Sequence, residues 1–400
     1  MLPLDDALRT MVDCLPEPQA ARVPLAEALG LVLADDAVSD VDMPPFHKSA
    51  MDGFAVRASD IVHPPSTLRV GQEVSAGALP RGPVRPGECA RIMTGAPVPE
   101  GADTVVRVED TEPGPAADQV TFPKAVDQGR NICWKAEDLA AGDVVLEAGH
   151  RIRPPEVAVL AACGYATVPV WRRPRVAVLS TGNEVVAVEA TPQGGQIRDA
   201  NSPYLLARLR RLGIEATALG IAPDEPEGLR RSLAQGLDHD VLVVSGGVSM
   251  GDYDLVPGIL AELGTEILFD SVAMQPGRPT VFGRCGPAAV FGLPGNPVSV
   301  LVAGELFLVP ALKAMMGRRQ VHPRRREATL VATARHRTGR LAHVPGVGEE
   351  GEGRWRVRPL PYHGSAHIHA LSQANCLIIL PADAAVVEAP AVVEVVELSE

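Results

Sequence analysis

The stretch that most constrains the fold is Val241–Asp254, VLVVSGGVSMGDYD. Val241–Val244 are apolar in succession and three of the four are β-branched, so they form a strand covered on both faces, as in the middle of a parallel sheet. Ser245-Gly246-Gly247 then ends it. Glycine lets the backbone turn with φ > 0 and lets an anionic ligand approach the main chain; Leu255–Leu263 reads as the following helix. Ligands of open parallel sheets bind beyond the carboxyl ends of the strands, which puts Ser249, Asp252 and Asp254 beside such a ligand. One reading gives the aspartates a Mg²⁺, which takes hard oxygen ligands and bridges to phosphates. The other is a glycine turn with Asp252 capping the helix. The stretch alone supports both.

The surroundings extend the pattern. VAVLS, SPYLLARLRRLG, EATALGIA, PEGLRRSLAQGL and VLVVSGG alternate buried strands with amphipathic helices, which is an α/β sheet. Three strand ends carry polar loops: Ser180-Thr181-Gly182-Asn183-Glu184, the turn with Asp224, and Ser245–Asp252. Loops at one edge of a parallel sheet converge on one crevice, so their acids can share a ligand. Met274–Pro279 (MQPGRP) adds Arg278 as an anion contact. Pro294-Gly295-Asn296 precedes a long apolar helix with Pro297 near its start; it reads either as an anion site made by free N–H groups and the helix dipole or as a capped buried helix.

Towards the N-terminus, Leu4–Leu15 and Pro24–Leu33 are expected to be helical, Pro24 occupying a tolerated first-turn position. Pro44-Pro45 fixes an extended segment before Ser49, Asp52 and Gly53, either a displayed loop or a plain turn into the strand Phe54–Val56. From Ile61 to Asp143, short β-branched runs alternate with Pro/Gly/Asp turns, as in an inserted all-β module. Thr94-Gly95, Glu109, Lys135, Glu137 and Asp138 lie at its loop or strand ends. Arg153–Gly164 reads as a helix and Ala166–Val170 as a strand; a boundary falls at Trp171–Arg175. Past Arg318, RRQVHPRRR reads as a linker or basic turn, and ATLVATAR, RWRVRPL, CLIILP and AVVEVVEL as strands of a closing β domain. His363, His367 and His369 have no carboxylate or cysteine in ligand spacing, so ordinary contacts are the better account than a metal site.

Composition narrows the function classes. A net charge of −12 argues against nonspecific nucleic-acid binding, so a bound anion needs a local positive site. No apolar run reaches the roughly 18 residues of a membrane span, and the N-terminus lacks the pattern of a signal peptide. A soluble, cytoplasmic protein is expected. The six cysteines form no CxxC pair and are expected to be free thiols.

With these pieces in order, the chain resembles the MoeA family, the molybdopterin molybdenumtransferases that include the gephyrin E domain. The resemblance spans nearly the whole chain and rests on PPFHKSAMDGFAVR, RIMTGAPVPEGADTVV, STGNE, QIRDANS, SGGVSMGDYD, MQPGRP, GLPGNPVS and GSAHIHALSQANCLIILP. It implies an α/β and β multi-domain fold in an elongated four-part subunit. The parts are a discontinuous N-terminal linker domain (1–45 and 145–173), an inserted β domain (46–144), a MogA-like α/β domain that binds molybdopterin (174–320) and a C-terminal β barrel (321–400). It implies a homodimer whose cleft combines the α/β domain of one subunit with the N-terminal domains of the other. The implied reaction inserts molybdate into adenylylated molybdopterin with Mg²⁺-dependent release of AMP. The molybdopterin adenylyltransferase and recipient molybdoenzymes are the implied partners.

Residue by residue, the resemblance gives functional roles to Asp52, Thr94 and Asp138, and to Glu184, Asp224, Asp252 and Arg278. Ser245, Gly246, Gly247, Ser249, Pro294, Gly295 and Asn296 fall in the substrate-binding loops, and Glu184 and Asp252 are the expected Mg²⁺ ligands. Arg278, Lys135 and the helix start at Asn296 are the expected anion contacts. Four departures from the family pattern stand out: Cys133 and Ala136 in place of arginine and glycine, Gln275 where some relatives have lysine, and His369-Ala370 where serines are frequent. The competing readings are a molybdopterin adenylyltransferase, which shares the α/β domain, and a noncatalytic pterin-binding scaffold.

Overall fold

The computed structural model describes residues 1–248, 254–351, 353–361 and 364–398. It divides into two compact units, one of residues 1–23, 30–34 and 169–400, the other of residues 24–29 and 35–168.

In the first unit the expected α/β sheet has six strands. They are β1 (Val176–Thr181), β2 (Thr217–Ala222), β3 (Val241–Ser245), β4 (Glu266–Phe269), β5 (Val281–Cys285) and β6 (Ala288–Leu293), in the spatial order β2-β1-β3-β6-β5-β4. The four strands β2, β1, β3 and β6 run parallel, whereas β5 is antiparallel to both its neighbours. The period-two alternation of β1 and β3 feeds two cores. Val176, Val178, Val241 and Val243 pack with Leu205 and Leu209 of helix Asn201–Arg211, with Leu4, Ala7, Leu8 and Met11 of helix Leu4–Asp13, and with the long helix after β6. Ala177, Leu179, Leu242 and Val244 pack on the opposite face against helices Pro226–Leu237 and Leu255–Glu262. Both faces are covered, which is why these strands tolerate no polar residue before their ends.

The helix Pro297–Met315 has 19 residues and is apolar enough to cross a membrane by length and composition, yet 89% of its most apolar window is buried inside the fold. It is therefore accounted for as a core helix. A π segment, Gly304–Leu308, lies within it and places Glu305 against Arg208, the two side chains forming a buried ion pair with Arg208 Nη2 2.9 Å from Glu305 Oε2.

The C-terminal part of this unit is a closed barrel of β7 (Arg325–Leu330), β8 (Leu341–Glu350), β9 (Trp355–Pro359), β10 (Cys376–Leu380) and β11 (Ala391–Glu397). Hydrogen bonding runs β8-β9-β7-β11-β10 and back to β8, so no edge strand is left open. Met274-Gln275 pairs in parallel with Leu341-Ala342 and ties the segment before β5 to the barrel.

The second unit is built on a six-stranded mixed sheet, spatially Thr104–Arg107, Gly53–Val56, Glu88–Ile92, Ser66–Val74, Gln119–Phe122 and Glu112-Pro113. Phe54, Val56, Leu68 and Phe122 fill one face, and Ala55, Val74, Ile92 and Val105 the other.

One expectation fails. Pro24–Leu33 is not a helix: Ala20–Pro24 is a strand, Leu25–Glu27 a single 3₁₀ turn, and Val32-Leu33 a short strand paired with Val170 and Trp171. Pro24 is extended at φ −53° and ψ 142°, and Gly30 has φ +80°, so the backbone leaves the helical region on both sides of the turn.

His343 sits on β8 between Ala342 and Val344, which point into the barrel core. It is wholly buried, and neither ring nitrogen has a hydrogen-bond partner among the described residues. Burial first, and Arg325 second, push its pKa down to about 3. The folded chain thus binds fewer protons at this site than the unfolded chain, whose histidine titrates near 6.5. The associated stability is full above pH ~6.5 and declines as pH falls towards 3, with a limiting slope of about 1.4 kcal/mol per pH unit. Urea denaturation at pH 7, 5 and 4 should show that dependence, and His343→Leu should flatten it.

Candidate functional site

The loops beyond β1, β2, β3 and β6 emerge at one edge because their carboxyl ends are in register. Ser180 pairs with Ser245, Ser245 with Leu293, and Thr181 with Ala222. Gly246 and Gly247, at φ +92° and +61°, turn the chain back against the neighbouring strands. The Gly246 N–H donates to the Leu293 carbonyl at 3.1 Å, and a Cβ at Gly246 would lie 2.5 Å from the Thr181 carbonyl oxygen. Only glycine allows that approach without a shift of backbone.

Asn201 locks two of these loops together. Its Nδ2 donates to Ser245 Oγ at 2.9 Å and to the Gly295 carbonyl at 2.7 Å. Asp199 holds the start of the same helix through the N–H groups of Asn201 and Ser202, each 3.0 Å from its Oδ1. QIRDANS therefore contributes to the site through Asn201, a residue that sequence reasoning did not single out. Asn183 and Asp224 clasp each other, with the Asn183 N–H 3.2 Å from Asp224 Oδ2 and the Asp224 N–H 3.1 Å from Asn183 Oδ1. Glu184 is exposed, its carboxylate folded back over Gly182, where a Cβ would lie 2.8 Å from Oε2. Ser249 and Asp252 lie outside the described residues.

Pro294, Asn296 and Arg278 do come together, in a cleft of about 670 Å³ between the α/β sheet and the barrel. Arg278 reaches this edge because β5 runs antiparallel: Val281 at its start pairs with Gly292 at the end of β6. Arg335, Arg337 and Arg340 line the cleft from the barrel side, and no carboxylate is among its described lining residues. Asn296 Nδ2 donates to Ser365 Oγ at 2.8 Å, and the Val298 N–H donates to the Ser365 carbonyl at 3.0 Å. Pro297 has no N–H, so two of the donors expected at this helix start are unavailable to a ligand. The arginines supply the positive character instead. Sequence reasoning missed the three barrel arginines, whose only signal was the basic run RHRTGR.

In the second unit, Asp52 and Thr94 form one constellation. Asp52 Oδ1 accepts from the Thr94 N–H at 2.6 Å and from Thr94 Oγ1 at 2.8 Å. These bonds, the backbone one first, hold the exposed Asp52 carboxyl below the usual carboxylate range. Asp138 is exposed and tethered by its N–H to the Met43 carbonyl at 3.0 Å. Lys135 Nζ lies 3.0 Å from Asp42 Oδ2, a partner the sequence reading did not assign.

Comparison with known proteins places these features in a family. Residues 2–164 match the MoeA N-terminal region (domain I and II), residues 177–314 a probable molybdopterin binding domain, and residues 327–398 the MoeA C-terminal region (domain IV). The chain belongs to the MoeA family. It is 34% identical over 385 residues to the molybdopterin molybdenumtransferase of Staphylococcus aureus (strain Mu50 / ATCC 700699), covering 95% of this chain and 91% of that protein. With its Staphylococcus epidermidis counterpart (strain ATCC 35984) the identity is 33% over 381 residues, covering 94% and 90%. Among solved structures, the molybdopterin biosynthesis MoeA protein from Pyrococcus horikoshii superposes with a TM-score of 0.87 at 32% identity, covering both chains fully.

Against the MoeA pattern, the departure at Ala136 has a structural cost. Ala136 adopts φ +60°, the left-handed region that disfavours residues with a Cβ and that glycine enters freely. Ala136→Gly should raise stability by about 0.5–1 kcal/mol, measured as the shift in denaturant midpoint; an unchanged or lowered midpoint would show that the turn carries no strain.

Proposed function

We propose that the chain is a molybdopterin molybdenumtransferase: it inserts molybdate into the dithiolene of adenylylated molybdopterin, and AMP is released. The observation that carries this reading furthest is the cleft lined by Arg278, Arg335, Arg337 and Arg340, with no carboxylate among its described lining residues. In a chain of net charge −12, such a cluster is the local positive site that an oxyanion requires. The glycine turn at Gly246-Gly247 and the Pro294–Asn296 loop are the accompanying surface for the pterin substrate, at the edge where parallel sheets bind ligands.

Molybdate and the adenylate are both anions, so the protein's task is to hold like-charged reactants together. Arg278 and its neighbours offset that repulsion at the cleft, and the loops locked by Asn201 keep the remaining donors in place. No covalent nucleophile takes part in this scheme. Mg²⁺ belongs to the reading as well. Mg²⁺ characteristically keeps several waters and takes one or two carboxylates plus substrate phosphates. The exposed Glu184 fits such a ligand, with Asp252 the second expected one. When bound, Mg²⁺ would neutralise charge on the phosphoanhydride. Asp52, ionised and oriented by Thr94, and Asp138 are further residues of the reaction, and a cytoplasmic homodimer is the expected state.

Arg278→Ala should raise the molybdate concentration needed for half-maximal AMP release by tenfold or more, the loss of one charge-assisted contact, with little change in pterin affinity. An unaltered molybdate titration removes Arg278 from the anion site. Asp52→Ala should abolish AMP release while the circular dichroism spectrum and melting temperature stay near wild type; retained turnover would exclude that loop from the chemistry.

A further inference from the structure

Helix Asn201–Arg211 meets the sheet edge with its first turn. Asn201 bonds to Ser245 and to the Gly295 carbonyl, and Ser202 Oγ lies 2.7 Å from Ser180 Oγ, so one helix start is tied to the ends of β1 and β3 and to the loop after β6. Two turns further on, the same face of the helix carries Arg208, with Tyr204 between them, a spacing of i, i+3 and i+7. Arg208 holds Glu305 as a fork: Nε donates to Oε1, and Nη2 to Oε2 at 2.9 Å. The Tyr204 hydroxyl adds a longer contact, 3.5 Å from Glu305 Oε1.

Glu305 belongs to the core helix that begins at Pro297, just after Gly295. The two helices are thus joined at two levels, Asn201 with Gly295 at their starts and Arg208 with Glu305 about 10 Å further along. An irregularity places the second tie. Pro310 has no N–H for the Leu306 carbonyl, and its ring crowds that oxygen; the π segment Gly304–Leu308 opens the helical ladder here, and Glu305 is its only polar residue. The paired side chains are 13% and 7% exposed. Such a pair adds little net stability, since loss of water offsets the attraction, but it tolerates no misalignment: a slipped register would leave a charge buried alone. The apolar side chains of the same core, Leu205, Leu209, Val302 and Leu306 among them, impose no such direction.

We propose that Arg208 and Glu305 are positioning residues for the pterin surface: their ion pair fixes helix Asn201–Arg211 against the core helix, so that Asn201 holds the Ser245–Gly247 turn and the Pro294–Asn296 loop together. The proposal rests on the reading of those loops as the pterin surface. Neither residue touches substrate, and both act through Asn201.

Removing one partner strands a buried charge and destabilises the fold, so the informative variant replaces both, Arg208→Met with Glu305→Leu. The full chain is compared as wild type, as this double variant, as Arg208→Lys, as Asn201→Ala and as the triple variant. Steady-state AMP release gives a KM for each substrate, and amide hydrogen exchange reads the loops directly. In the double variant the KM for adenylylated molybdopterin should rise about fivefold or more, the loss of one well-placed hydrogen bond, with kcat and the KM for molybdate near wild type. Exchange should quicken in peptides covering 245–247 and 293–296 and stay unchanged in the barrel. Arg208→Lys, which keeps the charge without the fork, should fall between. Asn201→Ala should reproduce the rise in KM, and adding it to the double variant should cost nothing further. Unchanged KM and exchange in the double variant overturn the proposal and, with Asn201→Ala still impaired, leave the pterin reading intact. Exchange that rises throughout the chain, or losses that add in the triple variant, would make the pair a brace of the fold at large and overturn its positioning role. No AMP release by the wild type overturns the pterin reading and the proposal with it.

Discussion

The site depends on parallel strands ending at one level. Ser180, Ser245 and Leu293 are hydrogen-bonded neighbours across the sheet, so the loops that follow start from a common line. The tight approach of Gly246 to Thr181 and Leu293, and the double hydrogen bond from Asn201, convert that line into a rigid edge. A side chain at Gly246 or a slip of one residue in β3 would separate groups that distant parts of the sequence supply. The antiparallel turn-back of β5 brings Arg278 to the same edge, although the residue precedes its strand instead of following it.

The sheet was readable because its evidence is local and redundant. An apolar run such as Val241–Val244 followed by two glycines allows few folds, and each helix between strands shows its own apolar stripe. The convergence of Glu184, Asp224, the Gly246-Gly247 turn and Pro294–Asn296 at one edge follows from topology once the strands are parallel. Pro24–Leu33 misled because proline at a first helical turn and a run of leucines and alanines are equally compatible with an extended segment; pairing with Val170 and Trp171, about 140 positions away, decided it. Local propensity carries no information about a partner that remote.

The cleft was half legible. Arg278 and Asn296 stand out by motif, but Arg335 ends a short strand paired with Val386, and Arg337 and Arg340 follow in a turn whose carbonyls accept hydrogen bonds from Gln275, contacts that no periodicity encodes. The helix start at Pro297 illustrates the reverse: its sequence advertises free N–H donors, and the fold uses one of them on Ser365. Asp52 and Thr94 are 42 residues apart, and their union through two hydrogen bonds to one oxygen is a tertiary fact that the family resemblance anticipated and composition did not. Ala136 shows how a departure from pattern becomes physical: a residue with a Cβ stands in a turn whose backbone is left-handed.

The central claim is that an anion-binding cleft and the sheet-edge loops serve one reaction, the insertion of molybdate coupled to loss of AMP. Its most direct test is AMP release from adenylylated molybdopterin by the purified chain with Mg²⁺, compared with and without molybdate. The account predicts release that depends on molybdate and is accompanied by formation of active molybdenum cofactor. Tight pterin binding with no AMP release under either condition, or AMP addition to free molybdopterin from ATP, would contradict it.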